Sequence, residues 1–432
     1  MLRLILVALL STLSAGLLAC GLILTGAVEE VDHALIPFRA GFRPKTAPPP
    51  ELVLIAAESN RLNLALLLDA LIRKPPRTVL LLGRLDTRTR NQGEFETLMA
   101  EKLESIRPVV LVCGANTMSH DLGQGRWQVL PPILPNYFGN DTQIPYGVSS
   151  WRPLGIFADR AAMVLPLPTN LPRASSGYPM LMRVKPYLLP TLPLGIFLAY
   201  DNTLPLLMKV KVGESISWTR PGGHRDVPIN ERGQMLLNPR FALRDYRTVT
   251  FDQVLEGKAN LDSGLGERTV LHELEGKLVI LYDPAFEESA HFAKVCQAVA
   301  NILQEDYLVK TLPVATYGLP LFLILVASLF SSVFHRHGPY VVALVVLVAA
   351  WMISEWFFRQ NLIWPWAATT LSLMMVVPWT YFYLRLVESM KVPGTETGEI
   401  HPPEKPGSGE QAPPPAGVEE KGGEKAGQNK PL

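Results

Sequence analysis

The sequence predicts a multi-pass membrane protein carrying one α/β domain, and three observations predict it. Four uncharged apolar stretches approach or exceed the length that crosses a bilayer. Between the first and the second, apolar runs of strand length alternate with helical patterns. The composition is that of a chain partly in lipid: charged residues are 18% and hydrophobic residues 48%, where soluble domains carry about 25% charge. A net charge of +1 over 432 residues excludes the strongly basic footprint of a general nucleic-acid binder.

The first uncharged stretch runs from Leu4 to Val28. A helix needs roughly 20 apolar residues to cross about 30 Å of hydrocarbon, so residues 1–28 are expected to anchor the chain. Leu17-Leu18-Ala19-Cys20 is a weak match to a lipoprotein cleavage box, which would place lipid on Cys20 and remove the span. The apolar run continues through Gly21-Leu22-Ile23-Leu24, long for a signal peptide, and this favours a retained anchor.

Residues 29–311 read as the globular domain. Glu51–Ala56 is the first strand. Leu64, Leu67, Leu68 and Leu71 then repeat at helical spacing until Pro75 and Pro76 stop the helix. Thr78–Leu82 is a second strand; Phe95, Leu98, Met99, Leu103 and Ile106 mark a second amphipathic helix; Val109–Cys113 is a third strand. Strands apolar throughout predict a mainly parallel sheet with helices on both faces and right-handed crossovers. Residues 131–205 hold 13 prolines, which excludes long helices and predicts short strands and loops. Pro153-Leu-Gly-Ile-Phe157 recurs as Pro193-Leu-Gly-Ile-Phe197, too little to establish a repeat architecture. Val227–Leu237 reads as a hairpin around Arg232-Gly233. Lys277–Tyr282 is a last strand. Ser289 is expected to cap a helix with Phe292, Val295, Cys296, Val299, Ile302 and Leu303 on one stripe.

Residues 312–390 hold three more spans, 313–334, 338–358 and 361–384, the middle one completed by Trp356-Phe357-Phe358 beyond Glu355. Trp351, Trp356, Trp364 and Trp366 gather where an interfacial belt belongs. Glu355 is the one acidic residue within a span, and Arg359, four residues on, is its expected ion-pair neighbour near the rim. No polar interior is evident in the spans, which argues against transport. Arg3, Arg336, Arg385 and Lys391 flank one side of the membrane. Glu29, Glu30, Asp32, Glu305 and Asp306 flank the other, together with Lys310 and Arg359. This bias predicts residues 27–311 outside the cytoplasm and the C-terminus inside. Residues 391–432, rich in Pro and Gly, with seven Glu against four Lys from Val392 onward and no aromatic, are expected to form a disordered cytoplasmic tail. Within it, Ala412–Ala416 has the composition of a polyproline II ligand.

The chain resembles the type-two CHASE extracellular sensory domain over about residues 1–390. The resemblance rests on the order of one span, a domain and three spans. It rests too on Arg247-Thr-Val-Thr-Phe-Asp-Gln-Val-Leu-Glu-Gly257, Leu274-Glu-Gly-Lys-Leu-Val-Ile-Leu281 and the helix around Ala298-Val-Ala-Asn-Ile-Leu303. It implies an extracytoplasmic α/β sensory domain in a bacterial inner membrane, feeding an output domain that does not follow here. The sequence departs from the family at Ala56-Ala57, where an acidic pair is usual, and at Asp283-Pro284, where a Gly-Ala turn is usual.

No Gly-x-Ser-x-Gly elbow, phosphate loop or His-Glu-x-x-His pair is present, so no catalytic residue, cofactor or metal is expected. Cys113, with His120-Asp121 shortly after, is the nearest nucleophile arrangement, and Cys113 and Cys296 allow one disulfide at most. Ligands of open α/β sheets bind at the carboxyl ends of parallel strands. That rule nominates Glu58, Asn60, Arg84, Asp86, Asn116 and Asp283 as ligand-binding residues. The expected function is a non-enzymatic membrane sensor that signals from the lipid bilayer to a separate effector protein, with homo-oligomerisation left open. A structural scaffold of an envelope complex is the alternative.

Overall fold

The computed structural model describes residues 2–58, 60–86, 93–106, 108–118, 132–171, 176–184, 186–264, 269–284, 290–333 and 338–389. Ser289, His120, Asp121 and the tail lie outside the described residues.

The chain opens with a long apolar helix, α1 (Leu2–Thr25), followed by two short ones, α2 (Glu29–Ala34) and α3 (Ile36–Ala40). The alternation then runs β1 (Leu52–Ala56), α4 (Arg61–Arg73), β2 (Thr78–Leu82), α5 (Gly93–Ser105) and β3 (Val109–Met118). Prolines cut the next section into short pieces. These are β4 (Tyr137–Phe138), β5 (Tyr146–Trp151), α6 (Gly155–Ala158), β6 (Met163–Pro168), β7 (Gly177–Pro179), β8 (Leu181–Val184), β9 (Tyr187–Pro190) and α7 (Leu192–Tyr200). Each copy of the Pro-Leu-Gly-Ile-Phe segment enters a helix, α6 and α7. Pro193 takes the first turn of α7, where a missing N–H costs nothing.

The nine-stranded main sheet is mixed. Its parallel core is completed by β14 (Arg247–Thr250), which pairs with β1, and β15 (Leu278–Tyr282), which inserts between β1 and β2. Between these strands run α8 (Phe251–Asp262) and α9 (Val270–Leu274). β2 is followed in space by β3, which takes β6 as a parallel neighbour and β5 as an antiparallel one. Period-two alternation sorts the side chains. Leu52, Leu54, Leu80, Leu82 and Ile280 face α7 and the last domain helix, α10 (Ala290–Gln304). Val53, Ile55, Val79, Leu81 and Val279 face the layer of α4, α5, α6, α8 and α9. Both faces are covered, so the strands are apolar throughout.

The expected hairpin at Val227–Leu237 forms elsewhere. β10 (Lys209–Lys211), β11 (Ser215–Arg220) and β12 (Gly223–Pro228) make the antiparallel ladder, turning at Gly222, whose φ is +87°. Gly233, at φ +66°, instead sends β13 (Gln234–Leu236) across to pair with β7. The Asn230 side chain, which accepts from the amides of Arg232 and Gln234, sets that turn.

Among the described residues, four helices are long and apolar enough to cross a membrane: Arg3–Thr25, Val314–Val333, Pro339–Arg359 and Trp366–Ser389. After β16 (Val309–Lys310), Pro313 opens a π-helical turn, Val314–Gly318, that runs into α11 (Leu319–Val333). α12 (Gly338–Arg359) is followed by β17 (Leu362–Ile363) and α13 (Trp366–Ser389). The last span therefore starts five residues later than its predicted start at 361. Residues 361–363 are spent on a two-stranded parallel ladder with Val309-Lys310. The bundle interior is also more polar than expected. Ser11, Ser328, Ser332, Thr369 and Thr380 are buried, with Thr380 bonded to Ser11 at 3.2 Å and Ser14 to Tyr383 at 2.7 Å. Ala15, Ala19, Ala327 and Ala350 let the helices approach closely, and such small hydroxyl and alanine faces associate helices where no hydrophobic force exists between them.

Candidate functional site

The register places Ala56, Tyr282 and Leu82 side by side, so the loops bearing Glu58, Asn60, Arg84, Asp86 and Asp283 leave one edge of the sheet. Most of these residues have local tasks. Asn60 is the N-cap of α4, its side chain accepting from Leu62 N at 2.9 Å. Arg84 pairs with Asp86 at 2.7 Å, and that bond raises the Arg84 pKa. Asn116 lies beyond the parallel core on β3 and accepts from the Thr169 hydroxyl at 2.5 Å. Glu58 is exposed, and Asp283 is half-buried. The sequence reading passed over two neighbours of this edge, Arg61 and Glu96, both buried. Burial lowers the Arg61 pKa while Glu96 and Asp86 act against it, so this edge holds a charge-balanced cluster.

Cys113 does not have the character of a nucleophile. Its thiol is buried and directed at the Leu165 carbonyl, 3.5 Å away, and burial pushes its pKa up to about 12. Cys113 and Cys296 belong to the cores on opposite faces of the sheet, which lies between them. Among the described residues no group of three or more His, Cys, Asp or Glu is arranged to hold a metal.

A second region stands out where the globular domain meets the long helices. Arg39, on α3, is 2% exposed. Its guanidinium lies 3.5 Å from Glu355, donates to the Ser354 carbonyl, and stacks 4.3 Å from the Phe358 ring centroid. The expected Glu355–Arg359 pair also forms, at 3.8 Å, with Arg359 the more exposed partner. One turn beyond Arg39, the Arg43 guanidinium also stacks on Phe358, 3.8 Å from the ring centroid, and donates to Asn238 and Asn361. Burial, then the neighbouring Arg240, pushes the Arg43 pKa down to about 10, which leaves it charged at neutral pH.

Asn361 is the hub. It sits between α12 and α13 at φ +61°, a left-handed conformation that asparagine tolerates better than most residues. Its side-chain oxygen accepts from Arg43, Asn238 and Arg240, and its side-chain amide nitrogen donates to Asp306 at 2.6 Å. Asp306 in turn pairs with Arg240 at 3.0 Å. Asn301 and Gln297, on α10, both donate to the Asn238 carbonyl. On the far side Asp32 accepts from the Ala367 amide at 2.9 Å, capping α13 from another element. Burial raises the Asp32 pKa to about 6. Ile36, Leu236, Leu308, Phe358 and Ile363 form the apolar centre of this collar.

Beside the collar lies a cavity of about 370 Å³. Ala34, Ile36 and Pro37 form one wall; Leu237, Phe241 and Tyr246 form another. Ala293, Lys294 and Gln297 of α10 close it. Cavity and collar meet at Ile36 and Gln297, and one face of α10, Ala293, Gln297 and Asn301 at four-residue spacing, borders both. Sequence reasoning missed this region, since its residues come from five distant segments. The one local signal was Phe38-Arg39 and Phe42-Arg43, two basic–aromatic pairs just after the first span.

Comparison of the chain with protein-family models, with curated proteins and with solved structures gives no match. Fold and site define a multi-pass membrane protein class: four membrane-length helices joined to one α/β domain through a buried polar collar.

Proposed function

We propose that the protein is a non-enzymatic membrane sensor of a bacterial inner membrane. In this reading the α/β domain lies outside the cytoplasm and passes occupancy by a ligand or partner through the spans to a separate effector. The supporting observation is the collar, in which domain residues Asn238, Arg240 and Asp306 meet α12–α13 residues at Asn361. A purely tethering junction has no need of buried charge. Charge there has two discrete arrangements, paired and dry or parted and wet, and a two-state contact of that kind transmits a shift in packing. The resemblance to the type-two CHASE sensory domain agrees with this reading. The route differs from a rigid lever through the second span, because Pro313 and a π-turn interrupt that path while the collar reaches the loop between the third and fourth spans.

The test uses the full chain in lipid nanodiscs, screened by thermal unfolding against metabolites and lipids. A ligand that binds the folded state raises its stability. The sensor reading predicts a stabilising compound that also slows hydrogen exchange at 238–240 and 361–367. A screen without any stabilising compound favours the alternative, a scaffold for other envelope proteins. A reporter inserted at the exposed Gly222-Gly223 turn settles the side of the membrane: activity in the cytosol contradicts the proposal.

A further inference from the structure

We propose that the cavity beneath α3 binds a free long-chain fatty acid drawn from the adjoining bilayer. The proposal rests on the sensor reading for its consequence, and on four features of the site for its chemistry.

The first is position. Ile36 and Pro37 wall the cavity within a dozen residues of the end of α1, and Ile36 packs on Phe358 one residue before α12 ends. The cavity therefore lies level with the ends of the membrane helices. Phe38 and Phe42, 57% and 56% exposed and edge-to-face at 5.0 Å, present an apolar surface on the same segment. Aromatic residues on a short amphipathic segment seat at the lipid–water boundary.

The second is the lining: Leu237, Pro239, Phe241, Leu243 and Ala293 offer hydrocarbon without charge. The third is size. At about 370 Å³ the cavity sits at the lower end of the roughly 300–1,000 Å³ of ligand pockets. That suits one chain and is small for the two chains and headgroup of a phospholipid.

The fourth is a set of donors matched to a carboxylate. The Tyr246 side chain lines the cavity at 5% exposure, and its buried hydroxyl has no hydrogen-bond partner. Ser176 lines it too, again with a buried hydroxyl lacking a partner. A native core seldom leaves such groups unmet, because each carries its full desolvation penalty. Lys294 supplies a cation at the same site, its pKa lowered by burial; a neighbouring carboxylate would favour its charged form. Two buried hydroxyls without partners on residues that line an apolar chamber, with Lys294 beside them, suit an acid with a single tail.

The experiment uses the full chain in nanodiscs with palmitic acid bearing a chain diazirine, and in parallel phosphatidylglycerol bearing the same group. Irradiation is expected to join the free acid to peptides from 34–37, 237–246 or 290–297, and unlabelled palmitate is expected to compete. Ala293→Trp fills the chamber and should abolish that labelling. Tyr246→Phe removes one donor without leaving a cavity, so it should keep the unfolding midpoint while lowering palmitate labelling roughly tenfold, the scale of a lost bond to a charged group. Labelling spread over the spans and unaltered in the folded Tyr246→Phe protein overturns the site. So does cavity labelling by phosphatidylglycerol that palmitate cannot displace. Cavity labelling without any change of exchange at 361–367 upholds the site and removes the sensor reading, whereas absent labelling leaves that reading to its own test.

Discussion

Arg39 and Glu355 approach within 3.5 Å in a setting where both are largely withdrawn from solvent. Removing one partner of such a pair strands the other charge, a loss of about 3–5 kcal/mol, while replacing both by apolar residues is often neutral. Arg39→Leu or Glu355→Leu alone should therefore destabilise the chain by that amount, and the double variant should recover most of it, as read by denaturation in detergent. A double variant whose loss equals the sum of the two single losses would mean the pair is not coupled. Asp32 gives a pH signature. Its pKa rises from 3.8 to about 6, chiefly through burial, with Glu29 adding to the rise and the Ala367 amide and Arg39 opposing it. The protonated form is thus favoured by folding, so stability contributed by Asp32 is complete below pH 3.8 and falls as pH rises through 6. The loss is about 3 kcal/mol at 1.36 kcal/mol per pKa unit. Asp32→Asn keeps a capping oxygen for α13 and should show a flatter stability profile than wild type between pH 4 and 6.5. Parallel profiles would show that Asp32 titrates normally.

The elements of the parallel core are legible in the sequence because their signals are local. Thr78–Leu82 coincides with β2, and the stripe from Phe292 to Ile302 is buried along α10. The insertion of β15 between β1 and β2 had no such signal, since strand order is fixed by pairings 200 residues apart. The hairpin was misplaced because Arg232-Gly233 and Pro221–Gly223 both carry turn chemistry, and only the partner β7, far away in sequence, decides between them. Of the nominated site residues, Asn60 shows why a placement rule overreaches: the end of a strand is also where the next helix needs its cap. Asn60→Ala should lower stability by about 1 kcal/mol, measured as a shift in unfolding midpoint. A variant that keeps full stability but loses a stabilising ligand would return Asn60 to the list of contacts. The collar was illegible for the opposite reason. Asn361 reads as the first residue of an apolar span, and its hydrogen bonds exist only after Arg43, Asn238 and Arg240 are folded against it.

At the scale of the whole molecule, four long apolar helices and a nine-stranded domain are held by a junction in which arginines, asparagines and aspartates share hydrogen bonds and ion pairs. Such networks hold or open as units, since a half-satisfied buried network is worse than none. The joint character separates a coupled junction from a simple tether. Hydrogen exchange of the full chain in nanodiscs, wild type against Asn238→Ala, tests it most directly. The substitution lies in the globular domain and removes one bond to Asn361 and one from Arg43. The account predicts faster exchange on both sides of the collar, at 234–240 and at 361–367. Faster exchange confined to 234–240, with 361–367 unchanged, would contradict it.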